Sequence, residues 1–249
     1  MNDFNRGYAR SIPADRADMS VDAGLRSFML GVYNKVALGL VLSGALAFAT
    51  SSIPAVRDLF FVVQGGVLVG LTPLYMVVAF APIVLLLVAG FALRNPTPRT
   101  AGALYWGIVS LMGLSLGSIF FRYTNASIGS TFFVTAAAFG GLSLVGYTTK
   151  KDLTGFGSFL IMGVFGLIIA SIVNMFLHSS MLMLMVNVLG VFIFAGLVAY
   201  DTQRLKMTYY QLGGDTAAQG VATNFGALSL YINFINLFQF LLSILGSRR

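Results

Sequence analysis

Seven stretches of this chain hold about 20 mostly apolar residues each, the length at which a helix crosses a ~30 Å hydrocarbon layer. They are residues 29–50, 72–93, 102–121, 128–147, 156–177, 182–203 and 225–246. Residues 1–27 break the pattern, with Asp3, Arg6, Arg10, Asp15, Arg16, Asp18, Asp22 and Arg26 interspersed. They lack the apolar run and cleavage site of a signal peptide, so the first hydrophobic segment is expected to stay in the protein. The segment 59–70 (LFFVVQGGVLVG) is apolar but too short and glycine-interrupted to span, and predicts an interfacial or re-entrant piece. The pattern predicts an all-α membrane protein: a flexible cytoplasmic tail, 1–27, and a seven-helix transmembrane domain, 28–249.

Composition agrees. Of 249 residues 57% are hydrophobic and 9% charged, against roughly 25% charged in soluble domains. A surface so poor in charge faces lipid, which makes the bilayer the first expected partner. The net charge of +7 does not call for nucleic acid, because membrane proteins gather Lys and Arg in their cytoplasmic loops. With no cysteine and His178 as the single histidine, disulfides, iron–sulfur clusters, multi-histidine metal sites and paired haem ligands drop out. No cofactor is expected.

Charge also orients the chain. With the N-terminus inside, Arg6, Arg10, Arg16, Arg26, Lys35, Arg94, Arg99, Lys150, Lys151, Arg204 and Lys206 lie inside. Arg57, Arg122, Arg248 and Arg249 lie outside, so the count is eleven against four. If 225–246 were a re-entrant hairpin, the last two would join the inside. Its unbroken apolar length argues instead for crossing.

Small residues recur at helical spacing: Gly113 and Gly117 beside Ser110 and Ser118, then Gly140, Gly141 and Ser143, then Gly163, Gly166, Ala170 and Ser171. They let helix backbones approach closely, and predict packing within one bundle; a dimer face is the alternative, so the oligomeric state stays open.

Polar residues inside spans carry the chemistry. Asp201, in AYDTQR, is the only carboxylate inside a predicted span, where insertion scales charge about 2.5–3.5 kcal/mol for it. Asn187 and Phe194 share its helix face. Two readings stand: a functional carboxylate, or an interfacial anchor paired with Arg204 three residues on. In the seventh span Asn233, Asn236 and Gln239 recur every three residues, as hydrogen-bonding glue between helices or as the wall of an ion or proton pathway. Arg94, before Asn95 and Pro96, ends the second span at a depth like that of Asp201. A pair between them would close a cytoplasmic exit; headgroup contact is the alternative. Asp152 or Thr154 is expected to cap the fifth helix, and His178 to sit at an outside helix end.

GYTTKKDLTGFGSFL (146–160), GLIIASIVNMF (166–176), VFIFAGLVAYDTQRLK (191–206) and GALSLYINFINLF (226–238) resemble the transmembrane Bax inhibitor motif family, in its bacterial branch. The resemblance covers the last four spans closely and the earlier ones more loosely. It implies a seven-helix bundle with the last helix central, wrapped by two layers of three, in a bacterial plasma (inner) membrane. It implies a pH-sensitive calcium leak sensed by two aspartates, one on the sixth and one on the seventh helix, with an arginine latch from the second. Asp201 matches the first aspartate, and the resemblance implies that it contacts calcium. Arg94 is carried over as the latch without a motif to pin it. The second aspartate falls on Asn233, because this chain reads YINFINLF where the family has YxDFINLF.

That departure has a physical meaning. Two adjacent carboxylates share one proton because like charges repel, and an aspartate–asparagine pair does not. The expectation is a weakened or acid-shifted pH response and one fewer anionic ligand for calcium. Three function classes follow. The first is a cation (calcium) leak channel with a modified Asp–Asn sensor. The second is a regulator that modulates a membrane protease or a stress response through protein contact. The third, an intramembrane enzyme, is not expected: aspartyl proteolysis needs two carboxylates, no HExxH occurs, and GFGSFL lacks the third glycine of a nucleotide fingerprint. A retinal Schiff base in the seventh span is excluded, because Lys206 is the last lysine.

Overall fold

The structure, a computed structural model, describes residues 23–65, 67–92 and 95–249. Seven helices are long and apolar enough to cross a membrane. They are α1 (Ala23–Ser52), α3 (Pro73–Ala92), α4 (Pro98–Ser115), α6 (Asn125–Thr148), α7 (Thr154–Leu177), α8 (Ser180–Gln211) and α9 (Thr216–Leu245). Helix α4 runs on through a 3-10 turn, Leu116–Ser118, into a last α-turn, α5 (Ile119–Arg122). Each expected span has its helix. Helix α1 already covers residues 23–27 of the expected tail, and Leu25 there is buried in the core. The rest of the tail, 1–22, and Arg94 lie outside the described residues.

Local chemistry sets the helix ends. Thr97 and Thr100 form a reciprocal cap on α4, with Pro98 in its first turn. Ser179 caps α8 by accepting from Leu182 N, and Asp215 caps α9 by accepting from Ala217 N and Ala218 N. Asp152 accepts from Thr154 N at 2.8 Å, one residue before the N-cap Leu153 of α7, a turn-forming role close to the expected one. His178 ends α7 in the left-handed conformation, φ 50°, where Asn174 Oδ1 accepts from the next backbone amide.

Segment 59–70 forms neither a span nor a re-entrant loop. A short helix, α2 (Pro54–Phe60), leads into an antiparallel hairpin of β1 (Phe61–Gln64) and β2 (Val67–Leu71). The run of β-branched residues favours strands, and Gly65 supplies a positive φ at the turn. Phe60 and Phe61 bury one side of it against Val78, Tyr75 and Phe121, a small β addition to the all-α membrane bundle.

The hairpin marks one end of the bundle, here the hairpin end, shared with the α5–α6 and α7–α8 turns. The opposite, basic end carries the α3–α4, α6–α7 and α8–α9 turns with Arg99, Lys150 and Lys151. Helix α9 runs unbroken from the basic end to the hairpin end. There Thr124 N donates to Ser247 O and Arg249 N to Arg122 O. A re-entrant hairpin over 225–246 is thereby excluded.

Helix α9 is the centre. Half of its most apolar window is buried, against 11% for α3 and for α7. Helices α1 and α4 pack on one side of it with α3 outside them; α6 and α8 pack on the other with α7 outside. This is the two-by-three wrapping that the resemblance implies. The expected small residues divide: a Cβ at Gly113 would sit 2.7 Å from Ser43 Cα, and Gly117 and Gly163 are as closely packed against Thr50 and Ile193, whereas Gly140, Gly141 and Gly166 have nothing within 4 Å. Between α1, α4 and α9 lies a buried polar cluster. Ser43 Oγ donates to Val109 O and bonds Tyr231 Oη at 2.6 Å, and Tyr105 Oη donates to Lys35 O.

Candidate functional site

On the other side of α9 the sequence places Ser229 and Asn233 four residues apart, so both face α8. Helix α8 answers with Asn187, Phe194 and Asp201, seven residues apart and turned to α9. Asn187 Nδ2 donates to Ser243 Oγ at 2.7 Å. Phe194 stacks on Phe240 with ring centroids 5.7 Å apart. Asp201 is 4% exposed.

Its carboxylate holds three donors. Oδ2 accepts from Ser229 Oγ at 2.5 Å and from Asn233 Nδ2 at 2.8 Å. Oδ1 pairs with Arg204 Nη2 at 2.9 Å. Arg204 itself is 49% exposed, lies over the Tyr200 ring and touches Ser229 Oγ at 3.5 Å. One negative and one positive charge therefore close the site, with the positive one reaching it from the basic end. A buried ion is tolerable only when its lone pairs are satisfied in this way.

The anchor pair with Arg204 forms, and the same carboxylate meets Asn233. Ser229 escaped the sequence reading. Its one signal was its position a turn before Asn233. Gln203 escaped too; it bridges to the α6–α7 loop, accepting from Leu153 N and donating to Lys151 O. Lys206 is 7% exposed and donates to Tyr147 O. Each polar residue of DTQRLK thus fixes a neighbour: Thr202 lies 3.4 Å from Tyr33 Oη on α1.

The expected stripe on α9 divides. Steps of three residues rotate the face, so Gln239 lies about 120° round from Asn233. Asn236 donates to its own helix at Ile232 O, and Gln239 is exposed. Both line a cavity of about 560 Å³ at the hairpin end, between the hairpin, α5, α8 and α9. Asn187 and Ser243 lie on its wall, and Arg122 is among its lining residues. Asn233 sits one turn deeper, out of the cavity, against Asp201. The site does not resemble a resident calcium centre. That ion takes 6–8 oxygens, several of them carboxylate, and among the described residues no three His, Cys, Asp or Glu side chains cluster.

A family profile described as "Inhibitor of apoptosis-promoting Bax1" matches residues 25–249. A protein of Caulobacter vibrioides is 79% identical over 249 residues, the whole of both chains. A protein of Rickettsia prowazekii is 40% identical over 242 residues, 97% of this chain and 98% of its own. "Inner membrane protein YbhL" of Escherichia coli is 42% identical over 228 residues, 91% of this chain and 94% of its own. Seven apolar helices around a central last one and a match over nearly the whole length lead to one conclusion: this chain belongs to the Bax inhibitor-like family of integral membrane proteins.

Proposed function

We propose that this protein is a passive cation leak pathway, captured closed, that runs from the hairpin-end cavity past Asn233 and Asp201 to the basic end. The observation that carries it is a carboxylate buried to 4% exposure and held by Asn233, one turn beyond the cavity-lining Asn236, with a cation, Arg204, on its far side. An ionisable group is costly inside a membrane bundle, which favours a functional reason for keeping one there. Calcium is the ion the family resemblance brings forward. The basic end faces the cytoplasm, so the N-terminus lies inside the plasma membrane of a bacterium. The chain performs no catalysis in this reading.

Asn233 cannot share a proton with its partner, so flux should respond to pH more weakly than in a two-aspartate site. The test is flux through proteoliposomes of wild type, Asp201→Asn and Asn233→Asp between pH 6 and 8. Wild type should conduct with a flat profile, Asp201→Asn should lose at least about tenfold, and Asn233→Asp should acquire a steep step. A wild-type step as steep as that of Asn233→Asp rejects the modified sensor, and silence from all three rejects the pathway.

A second reading is favoured by the Arg204 plug: a site held shut can serve as a fixed scaffold for a membrane protease or another membrane protein. A stoichiometric partner recovered from membranes with Asp201→Ala as efficiently as with wild type would favour this regulator.

A further inference from the structure

Resting on the cation pathway just proposed, we infer that this chain selects monovalent over divalent cations, the opposite of a calcium leak. The reason lies in what a cation meets on its way in. Among the described residues lining the hairpin-end cavity there are amides (Asn187, Asn236, Gln239), hydroxyls (Ser118, Ser243) and one charge, the cation Arg122. None is a carboxylate. Asp58, the described carboxylate on the hairpin side, is spent on Arg57 at 2.9 Å at the surface. One turn beyond Asn236 come Asn233 and then Asp201, whose single charge is already balanced by Arg204.

Dehydration in a low-dielectric passage scales with the square of the charge, so a divalent ion pays about four times what a monovalent ion of its size pays. Calcium recovers that cost through several anionic oxygens, and this route offers at most one. Magnesium sheds its water still more reluctantly. A monovalent ion is suited by neutral oxygen dipoles, as in filters built from carbonyls, and Asp201 matches its charge one for one once the half-exposed Arg204 swings aside. Asn233 is thus a specificity-determining residue. With an aspartate there, the deep site would hold two negative charges against Arg204 and would favour a divalent ion.

The experiment compares potassium, sodium and calcium flux at equal concentration in proteoliposomes, for wild type, Asn233→Asp and Arg204→Gln. Wild type should pass potassium or sodium at least about tenfold faster than calcium, and Asn233→Asp should raise the calcium-to-potassium ratio at least about tenfold. Calcium flux in wild type equal to or above that of potassium overturns the inference while leaving the pathway standing. Absence of every cation current in wild type and in Arg204→Gln overturns both. Calorimetric titration of detergent-purified protein with calcium gives a readout independent of flux. No Asp201-dependent binding is expected for wild type up to the order of 1 mM; Asp201-dependent binding tighter than that in wild type overturns the inference.

Discussion

Helix α9 carries two buried polar clusters on roughly opposite faces, and they differ in one respect. Tyr231 with Ser43 and the Val109 carbonyl is neutral, sealed between α1 and α4, and complete within itself. Ser229 and Asn233 with Asp201 enclose a charge, and their counter-charge, Arg204, is half in solvent. Burial of polar groups in mid-bundle is common to both, so it does not mark function. The mark is a charge whose partner can leave.

Arg204→Gln breaks the comparison hardest. It strands the carboxylate, and because Arg204 is half-exposed the loss should fall between that of surface and buried pairs, about 2 kcal/mol in detergent unfolding. Adding Asp201→Asn to the same chain should recover most of it, since no charge is then left unpaired; a purely additive double variant would show that the pair is not coupled. Tyr231→Phe should cost about 1 kcal/mol, the worth of one buried hydrogen bond, with cation flux unaltered. A tenfold drop in flux would place the neutral cluster on the pathway and erase the distinction.

The smallest effect is expected far from both clusters. The Thr154 hydroxyl and amide beside Asp152 hold its carboxyl below the usual carboxylate range. A group depressed in the folded state stabilises above its unfolded pKa, and that contribution disappears as pH falls through the folded value. Thermal melts of wild type and Asp152→Ala should therefore differ slightly at neutral pH and converge in acid, below about pH 4. Curves that diverge on acidification would reverse the sign of the argument.

The seven spans were legible because lipid demands long apolar helices and little else; the central place of the last helix came only with the family resemblance. The hairpin was not: a short run such as FFVV has no period that separates strand from helix, and the two glycines after Gln64 were compatible with either. At the site, Asp201 and Asn233 stood out because charge and amide are costly in a span. Ser229 did not, since a serine in a membrane helix usually bonds its own backbone, as Ser171 does here at Leu167 O. The parting of the Asn233–Asn236–Gln239 row was implicit in the spacing, since each step of three turns the face by about 60°; what the sequence left out is which neighbour each residue meets. Depth, not spacing, separates the closed site from the cavity.

The middle of this molecule is made after the six helices that surround it. Residues Thr216–Leu245 leave the ribosome after all six surrounding helices, which until then sit in the translocon's neighbourhood with Asp201 and Ser43 lacking their partners across the core. Nascent chains interrupted by a late stop codon would therefore be hollow assemblies with unmet polar faces, ready substrates for membrane quality control.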